Sequence, residues 1–225
     1  MLIYGKQPIY YLIEKYPQRI ETLYIAKELD KKEYSRLTRM GLNLKRIPNE
    51  AAQKMAKSGN HQGFLADIDG VEIKPLEKLL NKDFVVILSG ITDVGNIGAI
   101  IRSAYALGVD GVVVSGIKHL NLETIVRSSS GAIFDTNLVI VQNVFDVVND
   151  FKTSGFDLYG AVMDGTNINT ARISDKRALV LGNESEGLSN RLVGKLDHPV
   201  SIEMAHGFDS LNVSVAGAIL MDRMR

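Results

Sequence analysis

Cysteine is absent from the 225 residues. That removes disulfides, thiolate metal sites and a cysteine nucleophile, and it fits a reducing cytoplasm. The histidines fall at positions 61, 119, 198 and 206, never as a pair at ligand spacing, so no metal is expected. No two glycines stand two residues apart and no Gly-Lys-Ser/Thr occurs, which excludes the dinucleotide fingerprint and the phosphate loop. Without a Gly-x-Ser-x-Gly elbow, a hydrolase serine is disfavoured. No apolar run approaches the ~20 residues of a membrane span. The start, Met1-Leu2-Ile3-Tyr4-Gly5-Lys6-Gln7-Pro8, has no basic region leading into an apolar one, so no signal peptide is expected. A cytoplasmic protein with no membrane partner is the expectation.

Net charge is zero, but it is unevenly distributed. Residues 1–70 carry 12 Lys+Arg against 8 Asp+Glu, and the remainder carries the opposite imbalance. Six of the eight tyrosines, Tyr4, Tyr10, Tyr11, Tyr16, Tyr24 and Tyr34, share that basic segment. Cations attract phosphates and tyrosine faces can stack on bases. Solvated lysines around core tyrosines explain the same composition, so it gains weight only beside the motifs downstream.

The periodicity predicts a small α/β unit over residues 1–70, with helices at Pro8–Lys15, Asp30–Met40 and Asn49–Lys57 and strands at Thr22–Ala26, Leu42–Ile47 and Gly63–Ile68. A linker is expected over 71–82, which contains Pro75. From 83 to 225 strand and helix patterns alternate, beginning with the β-branched run Phe84–Leu88 and closing on a helix at Val213–Met224. That order predicts an α/β domain with a mostly parallel sheet and helices on both faces.

Three polar blocks adjoin strand-like runs in this domain. Gly95-Asn96-Ile97-Gly98 opens a helix that carries Arg102; backbone N–H groups at such an entrance favour an anion. Gly182-Asn183-Glu184-Ser185-Glu186-Gly187 has glycine at both ends, so its backbone can wrap a flat ligand. Ser210-Leu211-Asn212-Val213-Ser214 begins the last helix, with Ser210 as the expected N-cap. Each block has a plain structural explanation by itself: a tight turn, an acidic helix entrance, a cap. Open α/β sheets bind ligands at the carboxyl ends of their strands, where all three could converge. One arginine, carboxylates, amides and hydroxyls suit positioning and charge stabilisation better than covalent catalysis.

In order and spacing the blocks resemble the motifs of the SpoU (TrmH-type) RNA ribose 2′-O-methyltransferases of the SPOUT superfamily. Asn96 to Ala104, Gly182 to Leu188 and Ile202 to Ala216 are similar to its first, second and third motifs, and the likeness covers Asp83–Met224. Residues 1–70 resemble the substrate-binding extension of the 23S rRNA guanosine 2′-O-methyltransferase branch, most clearly at His61-Gln62-Gly63. Val94, Gly95, Ser185, Glu203 and His206 depart from the usual pattern, His206 standing where glycine is common. The resemblance implies a C-terminal trefoil knot, a homodimer, S-adenosyl-L-methionine as methyl donor, and structured RNA, rRNA foremost and not DNA, as partner. It implies that Gly182, Ile202 and Leu211 hold the cofactor, with Met204 nearby. A same-chemistry alternative is a tRNA ribose methyltransferase; a different one is a non-catalytic RNA-binding protein of the same fold.

A ribose hydroxyl becomes alkoxide-like as it attacks a sulfonium methyl. Arginine stays protonated in proteins, so Arg102 is expected to clamp the adjacent phosphate and stabilise the developing charge rather than act as a base. Asn96 and Glu184 would orient the guanidinium, and Ser210 and Asn212 would position the ribose or the cofactor carboxylate. Arg102→Ala is therefore expected to lower the single-turnover methyl-transfer rate by ~10²–10³-fold while calorimetric binding of the methyl donor persists. Wild-type-like turnover in that variant would refute the assignment.

Overall fold

The computed structural model describes residues 1–183, 185–207 and 209–225. Their contacts divide the chain into two compact units, Met1–Val71 with Asn121–Phe134, and Glu72–Leu120 with Asp135–Arg225.

The first unit contains β1 (Leu2–Tyr4), α1 (Lys6–Lys15), β2 (Ile20–Ile25), α2 (Lys31–Arg39), β3 (Leu44–Arg46), α3 (Asn49–Met55) and β4 (Phe64–Ile68). Its sheet runs β1-β4-β2-β3, with β4 antiparallel to β1 and β2, and β3 parallel to β2. Ile9, Leu12 and Ile13, spaced to share one helical face, are buried along α1. Ala52 and Ala56 pack with Leu65 under α3. Asp30 caps α2 by accepting from Glu33 N at 2.8 Å, and Gly41 (φ +74°) ends that helix as its residue type predicts. The strand β1 escapes the sequence patterns because three residues are too few to show alternation.

The second unit begins on residues expected as a linker. They are packed instead: Leu79 is fully buried beside Leu76 and Leu80 in the main core, and Lys74 N donates to Leu138 O at 2.8 Å. There follow β5 (Phe84–Ser89), α4 (Val94–Ala106) and β6 (Gly111–Ser115). The next helix, α5 (Leu122–Ser128), groups with the first unit, where Arg127 lies over the Tyr4 ring at 4.9 Å and Phe134 beneath Arg19 at 5.0 Å. Strand–helix alternation predicted its helicity but not which core its apolar face would enter. The chain then forms β7 (Asn137–Val141), α6 (Val144–Thr153), β8 (Asp157–Asn167), β9 (Arg177–Leu181), α7 (Asn190–Val193), β10 (His198–Ser201) and α8 (Val213–Met224).

The second sheet is parallel throughout, in the order β10-β8-β9-β5-β6-β7. Val85, Ile87, Val113, Val139 and Val180 point to the face covered by Val147, Val148 and Phe151 of α6 and Leu192 of α7. The other face takes α4 and α8, which pack on each other and on β6 and β9. Gly217 lets α8 approach closely, since a Cβ there would lie 2.8 Å from Leu181 Cδ1. Between Pro199 and Val200 the β10 pairing jumps along β8 from Gly160 to Thr166. Gly165 permits this, because a Cβ would come within 2.5 Å of the Val200 backbone. No helix among the described residues is long and apolar enough to cross a membrane.

Candidate active site at the carboxyl ends of β5 and β9

From β5 the chain proceeds through β6 to β7 on one side, while β9, β8 and β10 fill the other. The strand order therefore reverses between β5 and β9. In open α/β sheets the crevice outside the carboxyl ends of the strands at such a point is where ligands bind. A cleft of about 230 Å³ lies there, lined by Ser89 and Gly90 after β5, Asn183, Glu186, Gly187 and Ser189 after β9, and Val144 and Leu192.

Asparagine side chains fasten the loops around this end of the sheet, each in the same manner. Asn183 Oδ1 accepts from Ser185 N at 2.8 Å, folding its own turn, and Nδ2 donates to Gly90 O at 3.0 Å, tying that turn to the loop after β5. Asn212 Oδ1 accepts from Ser214 N at 2.9 Å and Ser214 Oγ at 2.6 Å, while Nδ2 donates to Asn96 Oδ1 at 3.0 Å. Asn167, ending β8, accepts from Asn169 N at 2.9 Å and donates to Glu203 Oε2 at 2.8 Å. In each case a backbone N–H fixes the carbonyl end of the amide, so the NH₂ end can point only at the second loop. Asn212 orients Asn96 in turn, leaving neither amide ambiguous.

Asn212 is thus the N-cap of α8, the position at which Ser210 was expected. Ser210 is exposed two residues earlier. Both are cap-forming types; the helical backbone starts at Val213, so the residue before it takes the role. Asp93 caps α4 by accepting from Asn96 N at 2.7 Å. The Asn96–Asn212 bond therefore joins the starts of two long helices, and the positive ends of both dipoles lie together.

The chain belongs to the SpoU rRNA methylase family. Its family model matches residues 83–222, and the model for RNA 2′-O ribose methyltransferase substrate binding matches residues 2–74. An uncharacterized tRNA/rRNA methyltransferase of Borreliella burgdorferi is 30% identical over 88% of this chain and 94% of its own length. The SpoU methyltransferase AviRb from Streptomyces viridochromogenes, solved in complex with the cofactor AdoMet, superposes with a TM-score of 0.79 at 27% identity, covering all of this chain and 88% of that one. An AdoMet-bound rRNA methyltransferase from Sinorhizobium meliloti shares the fold, with a TM-score of 0.80 at 21% identity over 100% of this chain and 86% of its own.

Against the SpoU motifs, the structure bonds the first block directly to the third through Asn96 and Asn212. It bonds the second block, through Asn183, to the loop that precedes the first. Gly182 is buried after β9; a Cβ there would meet the Gly187 carbonyl carbon at 2.3 Å, so the turn closes on itself only over glycine. Ile202, Met204 and Leu211 are half-buried along the approach to α8. Between them His206 adopts φ +60°, in the left-handed region that favours glycine. Arg102 is exposed on α4 six residues beyond Asn96, on a helical stripe about 120° away, with Ala99 and Gly98 one turn nearer the helix start. Asn96 thus engages Asn212 on a different stripe from the arginine it was expected to orient. Glu184 lies outside the described residues. Sequence reasoning passed over Asn183 and Asp93; an asparagine two residues before a serine in a glycine-flanked turn was the available signal.

The cap and the bridge made by Asn212 can be separated. Asn212→Ala should cost about 1 kcal/mol in urea unfolding, and Asn212→Ser should regain most of it, since serine caps nearly as well. Serine is too short to reach Asn96, so both variants should lose methyl transfer. Full activity in Asn212→Ser would remove the bridge from the site.

Proposed function

We propose that this chain transfers a methyl group from S-adenosylmethionine to a ribose 2′-hydroxyl of RNA, on a guanosine of 23S rRNA, and does so as a homodimer. The observation that carries this is the Asn96–Asn212 bond, which joins the block at the start of α4 to the block at the start of α8. The residues present suit the cofactor: a glycine-closed turn after β9, apolar Ile202, Met204 and Leu211 at partial burial, and backbone groups between them. When bound it supplies an electrophilic methyl on a positive sulfonium. Gly182, Ile202 and Leu211 would hold it, with Met204 nearby.

The cofactor would supply its methyl to the ribose oxygen and depart as the neutral thioether, while the hydroxyl proton would pass to water. Arg102 compensates the charge that grows on the oxygen and grips the neighbouring phosphate. Side chains in helices lean toward the N-terminus, and the residues one turn back from Arg102 are the small Gly98 and Ala99. Asn96 and Asn212 form one polar platform; Glu184 would orient the guanidinium and Ser210 would position the ribose. None of these roles needs a group titrating near neutrality. Residues 1–70 act as the RNA-binding domain and 83–225 as the methyltransferase domain, with a trefoil knot in the latter. Homodimerisation is supported by Tyr105 of α4 and Val215 of α8, apolar side chains 39% and 47% exposed on the two packed helices.

Incubation with labelled methyl donor and separate rRNA and tRNA pools tests the reading. Ribose methylation, mapped by resistance to alkaline cleavage, is expected in 23S rRNA. Label confined to tRNA would move the substrate while keeping the chemistry. Label on a base, or no donor binding by calorimetry, would overturn the proposal.

A further inference from the structure

One stretch of the first unit concentrates its positive charge. Lys31, Lys32, Arg36, Arg39, Lys45 and Arg46 fall between positions 31 and 46 with Glu33 as the one acid, and all six are exposed. On α2, Lys32, Arg36 and Arg39 stand at i, i+4 and i+7, so they share one stripe. That stripe is opposite Leu37, the buried residue of the helix. Lys45 and Arg46 lie on β3, which the sheet order places at an edge.

The nearby acids are turned to internal use. Asp30 caps α2, Glu33 accepts from the Tyr10 hydroxyl, and Glu14 approaches Arg36 no closer than 3.9 Å. The tyrosines are likewise engaged. Lys45 lies over the Tyr24 ring at 6.0 Å and Arg46 over Tyr34 at 4.8 Å. Tyr24 donates to Asp67 Oδ2 at 2.8 Å, and that hydrogen bond to the carboxylate raises its pKa, so the ring stays neutral beneath the lysine. The rings of Tyr4, Tyr10, Tyr11, Tyr24, Tyr34, Phe64 and Phe134 each carry a cation. Rings covered this way hold cationic side chains in place, with one face taken by the cation.

We infer that the α2–β3 edge is where the RNA phosphate backbone lies, gripped by Lys32, Arg36, Arg39, Lys45 and Arg46, with the tyrosines serving as seats for cations and not as stacking platforms. This rests on the reading of RNA as the substrate. Charge complementarity selects the occupant: a polyanion matches a stripe of cations beside a cationic strand edge, and phosphate contacts set position without reading sequence.

The test uses the full chain with labelled transcripts of a 23S rRNA fragment and of a tRNA, and follows affinity across salt concentrations. Each phosphate contact contributes about 0.7–0.9 to the slope of log K against log salt. The triple variant Lys32→Gln, Arg36→Gln, Arg39→Gln should flatten that slope by roughly 2–3, with donor binding retained as the control for folding. Lys82→Gln with Lys195→Gln, exposed cations of the second unit, should leave it unchanged. Tyr34→Leu should weaken binding less than threefold. An unchanged slope in the triple variant, or a tenfold loss in Tyr34→Leu, would overturn the proposal while leaving the methyltransferase reading intact. Failure of the unsubstituted chain to bind either transcript would instead overturn the substrate reading and this inference with it.

Discussion

The arrangement at the active end of the sheet depends on the two-ended character of the asparagine amide. Asn167, Asn183 and Asn212 each use the carbonyl end to fold a local turn and the NH₂ end to hold a second loop. Aspartate would supply only acceptors and serine too little reach, so neither could do both. These bonds link segments distant in sequence; Asn96 and Asn212 are separated by 116 positions. Most of the loops are otherwise short of regular structure, and a net hydrogen bond is worth only about 1 kcal/mol. The consequence is geometric more than energetic: loops that would otherwise move independently keep one mutual placement.

The chain has no cysteine, no histidine pair at ligand spacing and no dinucleotide glycine fingerprint. With the reactive methyl brought by a cofactor, the protein's part is to align the two substrates and to stabilise charge as it develops. Preorganised donors suit this, because they need no rearrangement when the reaction occurs. Two capped helix starts are joined by an amide pair, Asn96 with Asn212. The parallel sheet beneath, buried on both faces by α4, α6, α7 and α8, gives it a rigid floor.

Much of this was legible in the residues. The closing helix was read at Val213–Met224 and stands there, because its apolar positions keep helical spacing without interruption. The strands from β5 to β7 declared themselves through β-branched runs that only a doubly covered sheet produces. The misreadings have equally local causes. Ser210 and Asn212 are both good caps, and only the backbone conformation at Val213 decides between them. Strand β8 continues past Val162 to Asn167, although Met163 and Asp164 break the apolar run, because Gly165 admits the Val200 backbone. Helix α5 falls within the alternating segment from 83 onward, yet its contacts group it with the first unit, since periodicity shows that a face is apolar without showing what will cover it. Where the site was concerned, residue type signalled chemistry, whereas the partnering of Asn183 with Gly90 is a long-range fact with no trace in local pattern.

A crystal structure of the chain soaked with S-adenosylmethionine tests the central claim most directly. Difference density for the cofactor is expected between the Ser89–Gly90 turn, the 182–189 loop and residues 202–211, with the Asn96–Asn212 and Asn183–Gly90 bonds intact. Density at another end of the sheet, or a cofactor bound only after those two bonds have separated, would contradict the account.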